Sequence, residues 1–252
     1  GPQTERSRHN FPTGQFMPLA IIRALLNIKK AAAQANLELN QIDEAKGKLI
    51  IKAIDQLLVL PDDDLRKDFP LKVYQTGSGT QTNMNTNEVV ANLAKRLNPD
   101  VTVLPNDDVN KGQSSNDVYP TAMNIVAVEA LDQLLPAVQH LIDELKAKQE
   151  QYWHVVKVGR THLQDATPLT FGQEVSGYVA ALEHDRDYLK QLQPTLLELA
   201  IGGTAVGTGL NAAPGMPEKI AEKVSVVYGH EFTVKTNKFF GLANHSGLNV
   251  VH

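Results

Sequence analysis

The sequence predicts a mainly α protein: an N-terminal mixed helical domain followed by part of a long-helix bundle. Three observations carry this. Apolar residues recur at spacings of three, four and seven over most of the chain, which aligns them on one helix face. One such stripe, Met123, Ala127, Leu131, Leu134, Val138, Leu141 and Leu145, continues for about seven turns. Strand signals are scarce: Val155 to Val158 and Phe232 to Val234 are short runs rich in valine and threonine.

The elements follow in order. Pro18 to Leu39 reads as an Ala-rich helix. In the next, Ile42, Leu49, Ala53, Ile54 and Leu57 share a face, and Pro61 with Asp62, Asp63 and Asp64 ends it. A third helix runs roughly Asn87 to Leu97 and stops at Asn98-Pro99. Long helices begin after Lys111-Gly112, so the expected domains are 1–111 and 112–252. Pro136 inside the long stripe predicts a kink or a break. Gly172 to Leu199 is a second long helix, interrupted by Pro194, and another begins near Met216. Two long antiparallel helices belong to a bundle. The sequence holds no internal repeat and no low-complexity segment.

Composition narrows the function classes. The 252 residues are 42% hydrophobic and 21% charged, an ordinary globular balance able to fill a core. The net charge is -4 and no long basic run exists, so a nucleic-acid surface is not expected. The absence of cysteine excludes disulfides and thiolate chemistry and suits a reducing compartment. No stretch of about 20 apolar residues exists, so no membrane span is expected. Gly1-Pro2-Gln3-Thr4 carries no apolar signal region and reads as a mature start or a cut within a longer chain.

Polar loops carry the chemistry. In Thr76 to Asn85, Gly77 and Gly79 allow consecutive N–H groups to converge on an anion, with Ser78 and Thr80 adding hydroxyls. The same Ser, Thr and Asn residues equally suit an N-cap for the helix from Asn87; both readings stay open, since helix N-termini bind anions. Lys111 to Asp117 opens the longest helix; Ser115 or Asn116 could cap it, but four polar side chains exceed one cap. In Gly159 to Pro168, His162 stands among small polar neighbours and titrates near neutral pH. His140 and His184 fall in helical patterns beside Asp143 and Asp185 and read as solvated; His245 and His252 lie near the chain end. Gly202 to Asn211 is Gly-rich but fits no phosphate-loop pattern, so a tight turn packed close to helices is favoured. No His or carboxylate pair has ligand spacing at a polar loop, so no metal is expected. There is no G-x-S-x-G elbow.

Taken together, these stretches resemble the class II fumarases of the fumarase/aspartase superfamily. Gln3 to Ser7, Gly77 to Asn85, Ser114 to Asp117, Gly159 to Pro168, Gly202 to Asn211 and Asn237-Lys238-Phe239 carry the likeness, which spans essentially every residue. The resemblance implies reversible hydration of fumarate to L-malate, a small dicarboxylate as partner, no cofactor, a homotetramer, and cytoplasm or mitochondrial matrix. It implies substrate binding by Ser78, Gly79, Thr80, Ser114, Ser115, Asn116 and Thr161. His162 matches the proton donor and acceptor on the hydroxyl side. Aspartate ammonia-lyases typically carry Gln there, which favours hydratase over ammonia-lyase. A non-catalytic helical assembly fragment is the alternative from another class. The chain also departs from the family. Its serine-base loop, G-S-S-x-M-P-x-K-x-N-P, is nowhere in these residues. A fragment lacking the C-terminal half, inactive by itself, is therefore expected. Where the family reads His-Pro-Asn-Asp, this chain has Leu104-Pro105-Asn106-Asp107; leucine cannot donate a hydrogen bond, so the secondary anion site at Asn106 and Asp107 lacks its usual donor. A basic residue common just upstream is replaced by Val101.

Overall fold

The computed structural model describes residues 1–251, leaving His252 outside the described residues. It is mostly helical, and it divides into two compact units, Gly1–Ala127 with Leu196–Val250, and Val128–Thr195.

The first unit is built around one helix. After α1 (Pro2–Asn10), α2 (Leu19–Glu38) packs against α3 (Glu44–Leu58), α5 (Thr80–Leu97) and α8 (Met216–Tyr228). Contact on several sides explains its alanines: Ala24, Ala32 and Ala35 let neighbouring helices approach, while Ile22, Leu25, Leu26 and Ile28 fill the core. Asp43 caps α3, its carboxylate accepting from the N–H groups of Ala45 and Lys46 at 3.0 and 3.2 Å. The three aspartates do not simply end α3, as expected. They form the first turn of α4 (Asp62–Asp68), where negative charge complements the helix dipole.

The first turns of α6 (Ser115–Gln151) belong to this unit, with Val118, Ala122 and Ile125 buried. α6 is unbroken through Pro136, so the expected break is not found. The helix is long and apolar enough to cross a membrane by length and composition alone, and most of its apolar stretch is not buried within the chain. The sequence reading expected no apolar stretch of about 20 residues and did not register this one, in which polar residues are interspersed. The chain returns to the first unit through β3 (Glu198–Leu199), which pairs parallel with β4 (Thr233–Val234), and ends in α9 (Lys238–Ala243) and α10 (Ser246–Val251). β3 was expected to be the tail of a helix.

In the second unit, the rest of α6 pairs with α7 (Phe171–Leu196). Arg186 donates to Gln139 at 2.7 Å, Lys146 pairs with Glu183 at 2.6 Å and Gln193 donates to Asp132 at 3.3 Å. Descending numbers on one side against ascending numbers on the other make the pair antiparallel, as the bundle reading requires. Pro194 lies inside α7, two residues before it ends. Between the helices, β1 (Val156–Thr161) and β2 (Gln164–Thr170) form an antiparallel hairpin longer than its valines suggested.

Candidate functional site

The Gly77-Ser78-Gly79 loop is anchored at its base by Gln75, whose amide both donates to and accepts from the Thr82 hydroxyl at 2.8 and 3.1 Å. The helix begins at Thr80, seven residues earlier than the periodicity indicated. Its N-cap is Gly79, in the left-handed region at φ 72°, with no side-chain cap. A Cβ there would lie 2.2 Å from the Tyr119 ring, so only glycine fits. The capping reading of this loop is therefore wrong. The Ser78 hydroxyl stays exposed, 2.9 Å from Thr80 Oγ1 and 3.3 Å from Thr76 Oγ1. Asn83 and Asn85, read as loop, are buried helical residues.

The second loop is capped by Ser114 rather than Ser115 or Asn116. Asn116 N–H donates to Ser114 Oγ at 3.3 Å, and Ser114 N–H donates to Asp117 Oδ1 at 2.9 Å, a reciprocal capping box. Ser115 is left free of capping duty. Its Oγ accepts from Asn83 Nδ2 at 2.9 Å, and this bond joins the first loop's helix to the second loop.

Asp117 does more than cap. Its Oδ2 accepts from the backbone N–H of Gly202 and Thr204 at 2.9 and 3.0 Å. The Gly-rich run thus cradles an anion after all, an internal carboxylate. It also packs close: a Cβ on Gly202 would lie 2.3 Å from Pro217. Asn116 adds a third tie, donating to Ala205 O at 2.6 Å. Burial raises the Asp117 carboxyl above its usual range, while its N–H donors and Lys29 pull it back. Nearby, Lys238 is pushed below the ordinary lysine value by burial, with Glu218 and Asp117 opposing.

Sequence reading missed Lys29. It is fully buried in α2 and donates to Asn110 Oδ1 at 2.6 Å and Gln113 Oε1 at 3.0 Å. Burial lowers it to about 7, against a raising effect from Asp117. The available signal was spacing: Lys29 follows Ile22 and Leu25 by seven and four residues, on their apolar stripe.

The third loop belongs to the second unit and is a hairpin tip. His162 and Leu163 form a two-residue turn between Thr161 and Gln164, at φ 52° and 62°, the pattern of a type I′ turn. Histidine tolerates the left-handed region better than most residues, but leucine does not, so the tip holds backbone strain at Leu163. Thr161 and His162 are exposed, and the His162 ring has no hydrogen-bond partner among the described residues. Asn106 and Asp107, in the π-helical turn Pro105–Val109, are also exposed. Asp108 fixes that turn, accepting from Lys46 Nζ at 3.0 Å and from Leu104 N–H at 2.7 Å. A neighbouring cavity of about 200 Å³ is lined by Lys95, Val101, Thr102, Leu104 and Pro105.

Comparison with known proteins places these loops in context. A class II fumarate hydratase of Myxococcus xanthus is 53% identical over 259 aligned positions, which cover 100% of this chain and 55% of the relative. One of Listeria monocytogenes is 48% identical, with the same coverage. The crystal structure of a class II fumarase from Schistosoma mansoni superposes with a TM-score of 0.92 at 40% identity, over 100% of this chain and 57% of that one. The chain therefore spans about half the length of the curated relatives it matches. A family model described as lyase matches residues 1–250, and with that the chain belongs to the lyase family.

Proposed function

We propose that the complete protein hydrates fumarate reversibly to L-malate by acid–base catalysis. The observation that carries this reading is the Asn83–Ser115 hydrogen bond of 2.9 Å. It locks hydroxyl and amide donors from two loops into one surface, beside a Gly-rich turn already held by Asp117. Removing a carbon-bound proton next to a carboxylate builds up negative charge, and donors fixed in advance stabilise it without reorganising. Ser78, Gly79, Thr80, Ser114, Ser115, Asn116 and Thr161 are the substrate-binding residues in this reading. His162 transfers the proton on the hydroxyl side. Its strained, exposed hairpin tip suits a group that meets its partners outside this segment. The opposing base comes from the remainder of the complete protein.

The relatives' names support hydration, and the ammonia-lyase reading has nothing comparable in its favour. We read residues 1–111 as an N-terminal lyase domain and 112–252 as part of a central helical bundle. The protein assembles as a homotetramer in the cytoplasm or mitochondrial matrix, and apolar side chains on α6 and α7 support that assembly over a membrane. The secondary anion site at Asn106 and Asp107 is weakened by Leu104, which cannot donate, while the cavity beside it keeps Lys95 and Thr102 as donors.

The test uses the complete protein. Fumarate consumption is followed by absorbance, and ammonia release is measured with L-aspartate. Turnover of fumarate is expected, with His162→Asn lowering kcat by about 10²–10⁴-fold. Ammonia release, or an unchanged rate in the variant, overturns the reading.

A further inference from the structure

Lys29 is fully buried, yet its partners are two neutral amides, and no carboxylate lies within ion-pair reach among the described residues. An apolar side chain would fill this place in α2 at less desolvation cost. The lysine's geometry shows what it gains. Asn110 Oδ1, which accepts from Lys29 Nζ at 2.6 Å, also accepts from Asn83 Nδ2 at 3.2 Å. Asn83 in turn donates to Ser115 Oγ at 2.9 Å. Gln113, the second acceptor for Lys29 at 3.0 Å, uses its own amide to donate to Val109 O and Lys111 O, each at 3.2 Å. Asn110 donates to Gln113 O at 3.2 Å, closing the turn. Seven residues further along α2, Asn36 donates to Lys111 O at 3.2 Å. One helix thus grips the turn from Val109 to Gln113 at two points, and that turn leads straight into Ser114, Ser115 and Asn116.

We propose that Lys29 is a positioning residue for dicarboxylate binding: its Nζ locks Asn110 and Gln113, and through them holds the Ser114–Asn116 loop in the shape that meets a substrate carboxylate. The inference rests on the dicarboxylate reading above. Lys29 itself touches no substrate; it acts through amides. Its lowered proton affinity fits the role, since a neutral amine keeps donors for both acceptors.

Steady-state kinetics of the complete protein test this. Lys29→Met keeps the stem and removes the donors. The expected result is a KM for fumarate raised about tenfold, with kcat within threefold of wild type and no fall in melting temperature. Lys29→Gln, which restores a donor, should recover part of the KM. Asn110→Ala should raise KM similarly, and the double variant should be little worse than either single one, because both break one chain of bonds. If Lys29→Met fails to fold, Asn110→Ala alone decides, against the same KM expectation. An unchanged KM, or a KM change that only tracks lost thermal stability, overturns the proposal. An inactive wild-type protein would instead sink the fumarate reading. Lys29 is then judged on the side-chain amide resonances of Asn110 and Gln113: a shift in Lys29→Met supports the lock, and none overturns it.

Discussion

Lys29 and Asp117 are the buried ionisable residues beneath the polar loops, and each makes a prediction. Lys29 is lowered from 10.5 to about 7 in the folded chain. Between those values the unfolded chain binds the extra proton, so stability rises with pH through that window and is lowest below about 7. From pH 7 to pH 9 the gain is about 2 kcal/mol. Denaturant midpoints should rise accordingly, and Lys29→Met should lack that rise; an equal slope in both proteins would refute the burial argument. Asp117→Ala strands the N–H groups of Ser114, Gly202 and Thr204. A buried orphan costs about 1–3 kcal/mol, so a loss of about 4 kcal/mol is expected, and Asp117→Asn, which keeps an acceptor oxygen, should lose less. The burial of Lys29 and the capping by Asp117 had local signals, but the long-range bonds of both residues did not. Asp117 stood in the sequence as one more polar group near a helix start, because Gly202 and Thr204, which it joins in addition to its capping partner Ser114, lie more than 80 residues away.

Elements were legible in their interiors and illegible at their ends. The stripes of α2, α3, α6 and α7 follow from periodicity, since burial repeats every turn. The start of α5 did not, because a glycine in the left-handed region under the Tyr119 ring replaces the usual polar cap. The hairpin beyond its first valines was read as a loop for a related reason: its turn residues, His162 and Leu163, are not those a type I′ turn favours. Leu163→Gly should relieve the strain and stabilise the second unit by about 0.5–1 kcal/mol, visible as a higher denaturation midpoint. Glu88 of α5 tethers α1, accepting from Gln3 N–H at 2.8 Å, Thr4 N–H at 2.9 Å and Thr4 Oγ1 at 2.6 Å. Burial would raise this carboxyl, but the Thr4 and Gln3 donors outweigh it and hold it below 4.5. A depressed carboxyl stabilises above its unfolded value and loses that contribution as pH falls through the folded one. The α1 resonances should therefore move towards coil values below about pH 4, and Glu88→Gln should show the same shift at neutral pH.

At the scale of the whole molecule, the second unit leaves apolar surface open. Leu134 and Leu141, seven residues apart on one face of α6, are 44% and 48% exposed, and Tyr178 of α7 is 57% exposed. Exposed apolar side chains along these helices support contact with other protein in the proposed assembly. Light scattering of the complete protein should give a multiple of the chain mass, and Leu134→Glu with Leu141→Glu should shift it towards smaller species; a mass unchanged by the double variant would exclude this face from the assembly. The sequence by itself determined the helical class, the long stripes and the polar loops, because periodicity and residue type act over a few neighbouring residues. Only the tertiary structure decided that Asp117 fills the Gly-rich cradle, that Lys29 lies beneath the Asn110–Gln113 turn, and that Asn83 reaches Ser115. Those are hydrogen bonds between buried groups distant in the chain. Such groups must find partners once water is excluded, and which partners they find depends on how the helices pack.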